Sequence, residues 1–200
     1  MMECRSIITL CCLLICLSGS DMQEGHGDIA WEQLMQGEIL VEKTDDEQGV
    51  PGIRAMFTLR ATREELWGML TDYNHFSRIY GGIDSLRVIQ EDDKGATVEF
   101  FQTTLFKKIH FVLRRNYIRT GHNLTWESIS GDMDYIRGSW VILNSPDDDL
   151  KLVIYTNFFR HGGIVPTRIT RFWAMGQVRT MAQNARKWIM DSDRLYSEGD

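Results

Sequence analysis

Histidine, arginine and cysteine are the side chains of this 200-residue chain best suited to chemistry, and their spacing allows little of it. The five histidines are His26, His75, His110, His122 and His161. None belongs to an H-E-x-x-H pair, and the chain has no G-x-S-x-G nucleophile turn and no glycine-rich phosphate loop. His110 lies within a strand-like run and alternates with Val112, a phase that would turn it inward, but no Asp or Glu accompanies it in sequence. A general base needs a partner within hydrogen-bonding reach, so His110 is only the best of a weak set. Arg171 is the other polar candidate, one four-residue step before Met175 on a helix. It would either meet a carbonyl or acidic head group near a pocket mouth or extend its guanidinium into water. No catalytic residue, metal ligand set or cofactor motif emerges.

The four cysteines (Cys4, Cys11, Cys12 and Cys16) fall within an apolar leader that runs from about Ile7 to Leu17. Small residues Ser18 and Ser20 follow, as a signal peptidase requires, so residues 1–20 read as a signal peptide cut before Asp21. The expected location is secreted or periplasmic. With the leader gone no thiol remains, which excludes disulfides and thiolate metal sites. Charge is uneven about a net −6: seven basic and seventeen acidic residues from Asp21 to Thr104, then thirteen basic and six acidic from Leu105 to Lys187. The later half could make a peripheral contact with an anionic membrane, or the two halves could neutralise each other across one sheet. Overall acidity argues against nucleic acid as a partner.

These residues must be positioned by a short list of elements. A brief helix over Asp28–Gln36 and a strand over Glu38–Glu42 form an N-terminal extension, residues 21–51. The main domain, residues 52–195, opens with a strand over Gly52–Arg60. Thr62 and Glu65 have capping-box spacing, and Leu66, Trp67, Leu70 and Tyr73 make a helical stripe that breaks at Asp72-Tyr73. A short second helix stops at Gly81-Gly82. Six strand-like runs follow, from Ser85 to Arg160, separated by loops short enough to demand antiparallel hairpins. Pro166 ends them. A helix from Thr167 to about Ser192 closes the chain, with Phe172, Met175, Val178, Ala182, Ala185 and Ile189 on its apolar side.

A meander of about seven strands with one long helix to cover it must lay that helix across its concave face. Gly176, Ala182 and Ala185 are small, so helix and sheet are expected to leave a cavity. One of ~300 Å3 would cost about 7 kcal/mol if dry and empty, by the ~24 cal/mol per Å3 of small engineered holes. That rivals a domain's whole stability of roughly 5–15 kcal/mol, so the space should be wet, filled or collapsed. Trp140 shares a strand face with Gly138 and Ile142, and is read as pocket wall or as core packing against the helix. Phe111, Phe158, Met175 and Val178 carry the same two readings. Arg137 alternates opposite to Trp140 and should face outward. Eight methionines beyond the leader suit an adaptable interior.

Three stretches resemble the START-like superfamily, in the branch of coenzyme Q-binding and polyketide cyclase/dehydrase proteins. They are Glu65-Leu66-Trp67 leading to Thr71-Asp72-Tyr73 with Phe76 beyond, Gly131-Asp132 followed by Gly138-Ser139-Trp140, and Pro166 opening the last helix. The likeness spans roughly Gly52 to Ile189 and departs at Ser77 and Gly81, where the family commonly has prolines. It implies an α+β helix-grip fold: a curved antiparallel sheet gripping the long C-terminal helix, with two short helices after the first strand. It also implies a hydrophobic small molecule in the cavity (a lipid, an isoprenoid quinone or a polycyclic compound), held by a carrier or sensor. A cyclase/aromatase acting through His110 and Arg171 is the alternative from the same family, and a membrane- or protein-docking module without a ligand is the third.

Overall fold

The computed structural model describes residues 29–104, 107–161 and 167–197, so the expected signal peptide, Asp28 and Pro166 lie outside the described residues. A short helix α1 (Trp31–Met35) leads into β1 (Leu40–Asp45) and β2 (Pro51–Arg60). Helices α2 (Arg63–Thr71) and α3 (Phe76–Ile79) follow, and then β3 (Ile83–Asp92), β4 (Gly95–Thr103), β5 (Lys108–Arg119), β6 (Asn123–Gly131), β7 (Met133–Asn144) and β8 (Leu150–His161). Helix α4 (Thr167–Ser197) closes the fold. All eight strands form one curved, unclosed antiparallel sheet in the order β1-β2-β8-β7-β6-β5-β4-β3. This is the helix-grip architecture. The sheet has one strand more than the seven expected for the main domain, because β1 from the N-terminal extension pairs with β2 from Leu40↔Met56 to Asp45↔Pro51.

Strand β2 sits near one edge of the sheet and β3 forms the other, so α2 and α3 must carry the chain between them. Local chemistry fixes both ends of α2. Thr62 Oγ1 accepts the Glu65 N–H at 3.2 Å, and Glu65 Oε2 accepts the Thr62 N–H at 2.7 Å, which completes the capping box. At the other end the Asp72 carboxylate accepts the Asn74 N–H at 3.1 Å and bonds His75 Nδ1 at 2.6 Å. These local bonds give the backbone an alternative to further helix, and the break there lets α3 turn its own face, Phe76 and Ile79, to the core.

Helix α4 packs against β1, β2, α2 and α3. Its buried residues are Ala174, Val178, Met181, Ala182, Ala185 and Ile189. Two expectations change here. Phe172 is 81% exposed, because it lies two residues, about 200° of helical turn, before Ala174. Gly176 is also exposed, and nothing lies within 4 Å of where its Cβ would stand. Ala182 and Ala185 are fully buried. Their smallness brings the C-terminal half of the helix down onto the sheet and α-helices rather than opening a space there.

Candidate functional site

The space lies under the N-terminal half of α4. It is a cavity of about 210 Å3. Phe100, Ile109, Phe111 and Leu113 from β4 and β5 form one wall; Trp126, Ile136, Tyr155 and Phe159 from β6–β8 form another; Ala174, Val178 and Met181 form the roof. Alternation supplies this lining, since every second residue of each strand faces the helix. Half-exposed Gly81, Ile83, Gln102, Thr104, Thr170, Trp173 and Gln177 border the mouth. Beside it on α4, Ile169 and Phe172 present exposed apolar side chains to solvent.

Trp126 can lie along the wall because β7 carries glycine at its partner position. A Cβ on Gly138, paired with Trp126, would overlap the indole and the Thr156 carbonyl oxygen. The indole Nε1 then donates to Asn157 Oδ1 at 3.0 Å, and Trp126 and Tyr155 stack at 5.6 Å. Trp140 lies one layer deeper. It is 1% exposed, donates from Nε1 to the Tyr80 hydroxyl at 2.7 Å, and packs edge-on against Phe57, Tyr80 and Tyr155. It is a core residue that buttresses the wall. Burial pushes the phenols of Tyr80 and Tyr155 well above their usual range, so both stay protonated at neutral pH.

Among the described residues one charged side chain lines the cavity, and the sequence reading missed it. Arg115 on β5 is 2% exposed. Its Nη2 donates to the Leu70 carbonyl at 3.0 Å, and its guanidinium lies 5.1 Å from the Tyr73 ring and 5.0 Å from the Phe76 ring. The signal was available: Arg115 shares strand parity with Ile109, Phe111 and Leu113. A charge beside a second arginine, Arg114, reads as solvent-facing until the fold closes over it.

The other candidates separate. Phe111 and Val178 border the cavity. Met175 is half-buried beside the core and does not line it. Phe158 lies on the opposite face, where its ring covers Gly52 and a Cβ would collide with it. Its neighbour Phe159 takes the inward position. Arg171 is turned to the sheet edge: its Nη2 donates to the Thr44 carbonyl at 3.0 Å and pairs with Asp45. Arg137 is exposed. His110 faces out, as it must when Phe111 faces in, and its Nε2 bonds Glu99 Oε1 at 2.9 Å on the convex face, where Arg87 meets the same carboxylate. The acid absent from its local sequence comes from the adjacent strand, and that site is outside the cavity. Asn123, in the N-x-T pattern, sits in a strand paired on both sides with its Oδ1 buried. Among the described residues no cluster of three His, Cys, Asp or Glu could hold a metal, and no helix is long and apolar enough to cross a membrane.

A curved meander gripping one long helix over an apolar cavity defines a helix-grip protein with room for a guest. Residues 59–185 match the family model described as polyketide cyclase/dehydrase and lipid transport, and the chain belongs to that family. Among solved structures it is similar to a STAR-related lipid transfer protein from Xanthomonas axonopodis, at 16% identity and a TM-score of 0.61, covering 74% of this chain and 93% of that one. Human StAR-related lipid transfer protein 5 is similar at 11% identity and a TM-score of 0.62, covering 78% and 84%. The Zhui aromatase/cyclase from Streptomyces sp. R1128 is similar at 10% identity and a TM-score of 0.55, covering 78% and 93%. At these identities the likeness is one of fold. No functionally curated protein matches the chain in sequence.

Proposed function

We propose that this protein is an exported carrier or sensor that binds a compact hydrophobic molecule beneath the N-terminal half of α4. The observation that carries the reading is the cavity itself, apolar on three walls and open at one rim. Water held against such walls is released on binding, which drives an apolar guest inward. At about 210 Å3 the space is smaller than the ~300–1,000 Å3 of sites that enclose drug-sized ligands. A small lipid or ring compound fits that size; a whole phospholipid or long isoprenoid quinone would leave its tail in the mouth. Exposed Ile169 and Phe172 at the rim support loading from a lipid surface. The cyclase alternative is less well supported. Proton removal needs a base, and among the described lining residues none is His, Asp, Glu, Lys or Cys, while the two phenols hold their protons.

Native mass spectrometry of the purified protein should find an apolar molecule bound. A panel of short-chain lipids and small ring compounds should raise Tm by roughly 5–10 °C at a hundredfold excess over Kd, from about 2.7 kcal/mol of linkage in a domain of this size. A protein that retains no apolar molecule and shows no thermal shift with the panel would leave the carrier reading without support. Sedimentation with vesicles at low and high salt tests the rim, and apolar docking through Phe172 should survive salt that screens surface charge.

A further inference from the structure

Arg115 is a buried cation with one nitrogen left over. Its Nη2 is committed to the Leu70 carbonyl, near the C-terminal end of α2, and the Tyr73 and Phe76 rings flank its guanidinium. Its Nη1 is buried and has no hydrogen-bond partner, and no carboxylate pairs with the side chain among the described residues. A buried donor without a partner is costly, and a buried charge without a counter-ion more so. The position is also telling. Ile109, Phe111, Leu113 and Arg115 are the lining residues of β5, and Arg115 is the last of them, about 20 Å along the strand from Ile109. It stands at the end closed by α2 and α3, far from the half-exposed residues of the mouth.

Resting on the ligand-binding reading above, we propose that the ligand is a compact carboxylate-headed amphiphile that enters head first, with its carboxylate hydrogen-bonded to Arg115 Nη1. The ligand supplies the missing counter-ion and acceptor together, and a charge-assisted bond in a dry site is the strong kind. A carboxylate fits better than a phosphate monoester. The latter brings about two negative charges, while Arg115 is the one cation on the wall among the described residues, with one free nitrogen. The tail then runs past Leu113, Phe111 and Ile109 toward the rim.

The test compares decanoate, methyl decanoate, decanol and decyl phosphate by calorimetry on the full protein at neutral pH. Decanoate should bind at least about tenfold more tightly than the ester, the alcohol or the phosphate. In Arg115→Met, checked for native fold by circular dichroism, that preference should disappear, decanoate binding no more tightly than the ester or the alcohol. Should the variant not fold, carboxyl-labelled decanoate bound to the unaltered protein decides the matter. Its 13C resonance should stay that of the ionised form at pH values where free decanoate is protonated, a readout that a merely structural Arg115 would not give. Equal affinity for all four probes, or a bound carboxyl that titrates as it does in water, overturns the assignment and leaves the cavity reading standing. A preference for decyl phosphate overturns the carboxylate alone. Binding of none of the four removes both.

Discussion

An alanine methyl at Gly138 would overlap both the Trp126 indole and the Thr156 carbonyl oxygen. The indole can tilt, but only into the cavity. The carbonyl belongs to the backbone of β8 and cannot yield without disturbing the pairing of β7 with β8. Gly138→Ala should therefore destabilise the fold by about 1–3 kcal/mol, the usual range for overpacking, and shift the tryptophan fluorescence as the indole turns. A denaturation midpoint unchanged from the parent would show that the strand relaxes freely. The same residue shows what a sequence can disclose at this scale. Gly138-Ser139-Trp140 was legible as a motif and Trp140 as an inward residue, yet the glycine's purpose, room for a ring from the next strand, is a cross-strand fact. Phe158 and Phe159 were ambiguous because two like residues in a row satisfy either phase. The parity of Arg115 with Ile109, Phe111 and Leu113 was legible, but its burial was not, because that depends on Tyr73 and Phe76, some forty residues away in the chain.

Helix α4 divides into two halves with opposite duties, and one substitution in each should separate them. Ala174 borders the cavity, whereas Ala182 is fully buried in solid packing. Ala174→Leu places three extra carbons into the roof of an existing space, so it should abolish decanol binding and leave Tm unchanged or higher. Ala182→Leu has no space to enter and should cost about 1–3 kcal/mol, with ligand affinity retained in whatever fraction stays folded. Loss of stability in both would mean the cavity is not where the lining residues place it. Element order and hairpin pairing were readable because the loops between consecutive strands are short. The phase of α4 was read less well. Steps of three and four from Phe172 through Met175 drift around the helix, and only packing against β1, β2, α2 and α3 fixes the buried stripe that begins at Ala174 and Val178. The cavity was expected from small residues that instead bring the helix close, so its existence was anticipated for a reason that applies to the wrong half.

At the scale of the whole molecule, the acidic early half and the basic later half meet across one sheet. Arg171 pairs with Asp45, Arg114 with Asp92, and His110 with Glu99. Asp46 does the same through hydrogen bonds, accepting from the Val50 and Gln48 N–H groups at 2.7 and 2.9 Å and from the Tyr135 hydroxyl of β7 at 3.0 Å. Burial pushes its carboxyl up, but those three donors and nearby Arg160 outweigh it and hold the group below its usual range. Glu99 is likewise held low, first by its hydrogen bond to His110 and then by Arg87. A carboxylate whose folded pKa is depressed contributes stability that is fully present above its unfolded pKa, about 4, and is lost as pH falls through the folded value. Stability carried by these two groups should thus be flat from pH 7 to about 5 and decline below it. Asp46→Asn and Glu99→Gln should each melt earlier than the parent at pH 7, and both differences should narrow as the pH falls below about 4, where protons begin to bind the unfolded and then the folded parent carboxylates. Thermal melts across that range decide it. A gap that stays constant down to pH 3 would mean that shape and packing at these positions, not charge, tie Asp46 to β7 and Glu99 to β3 and β5.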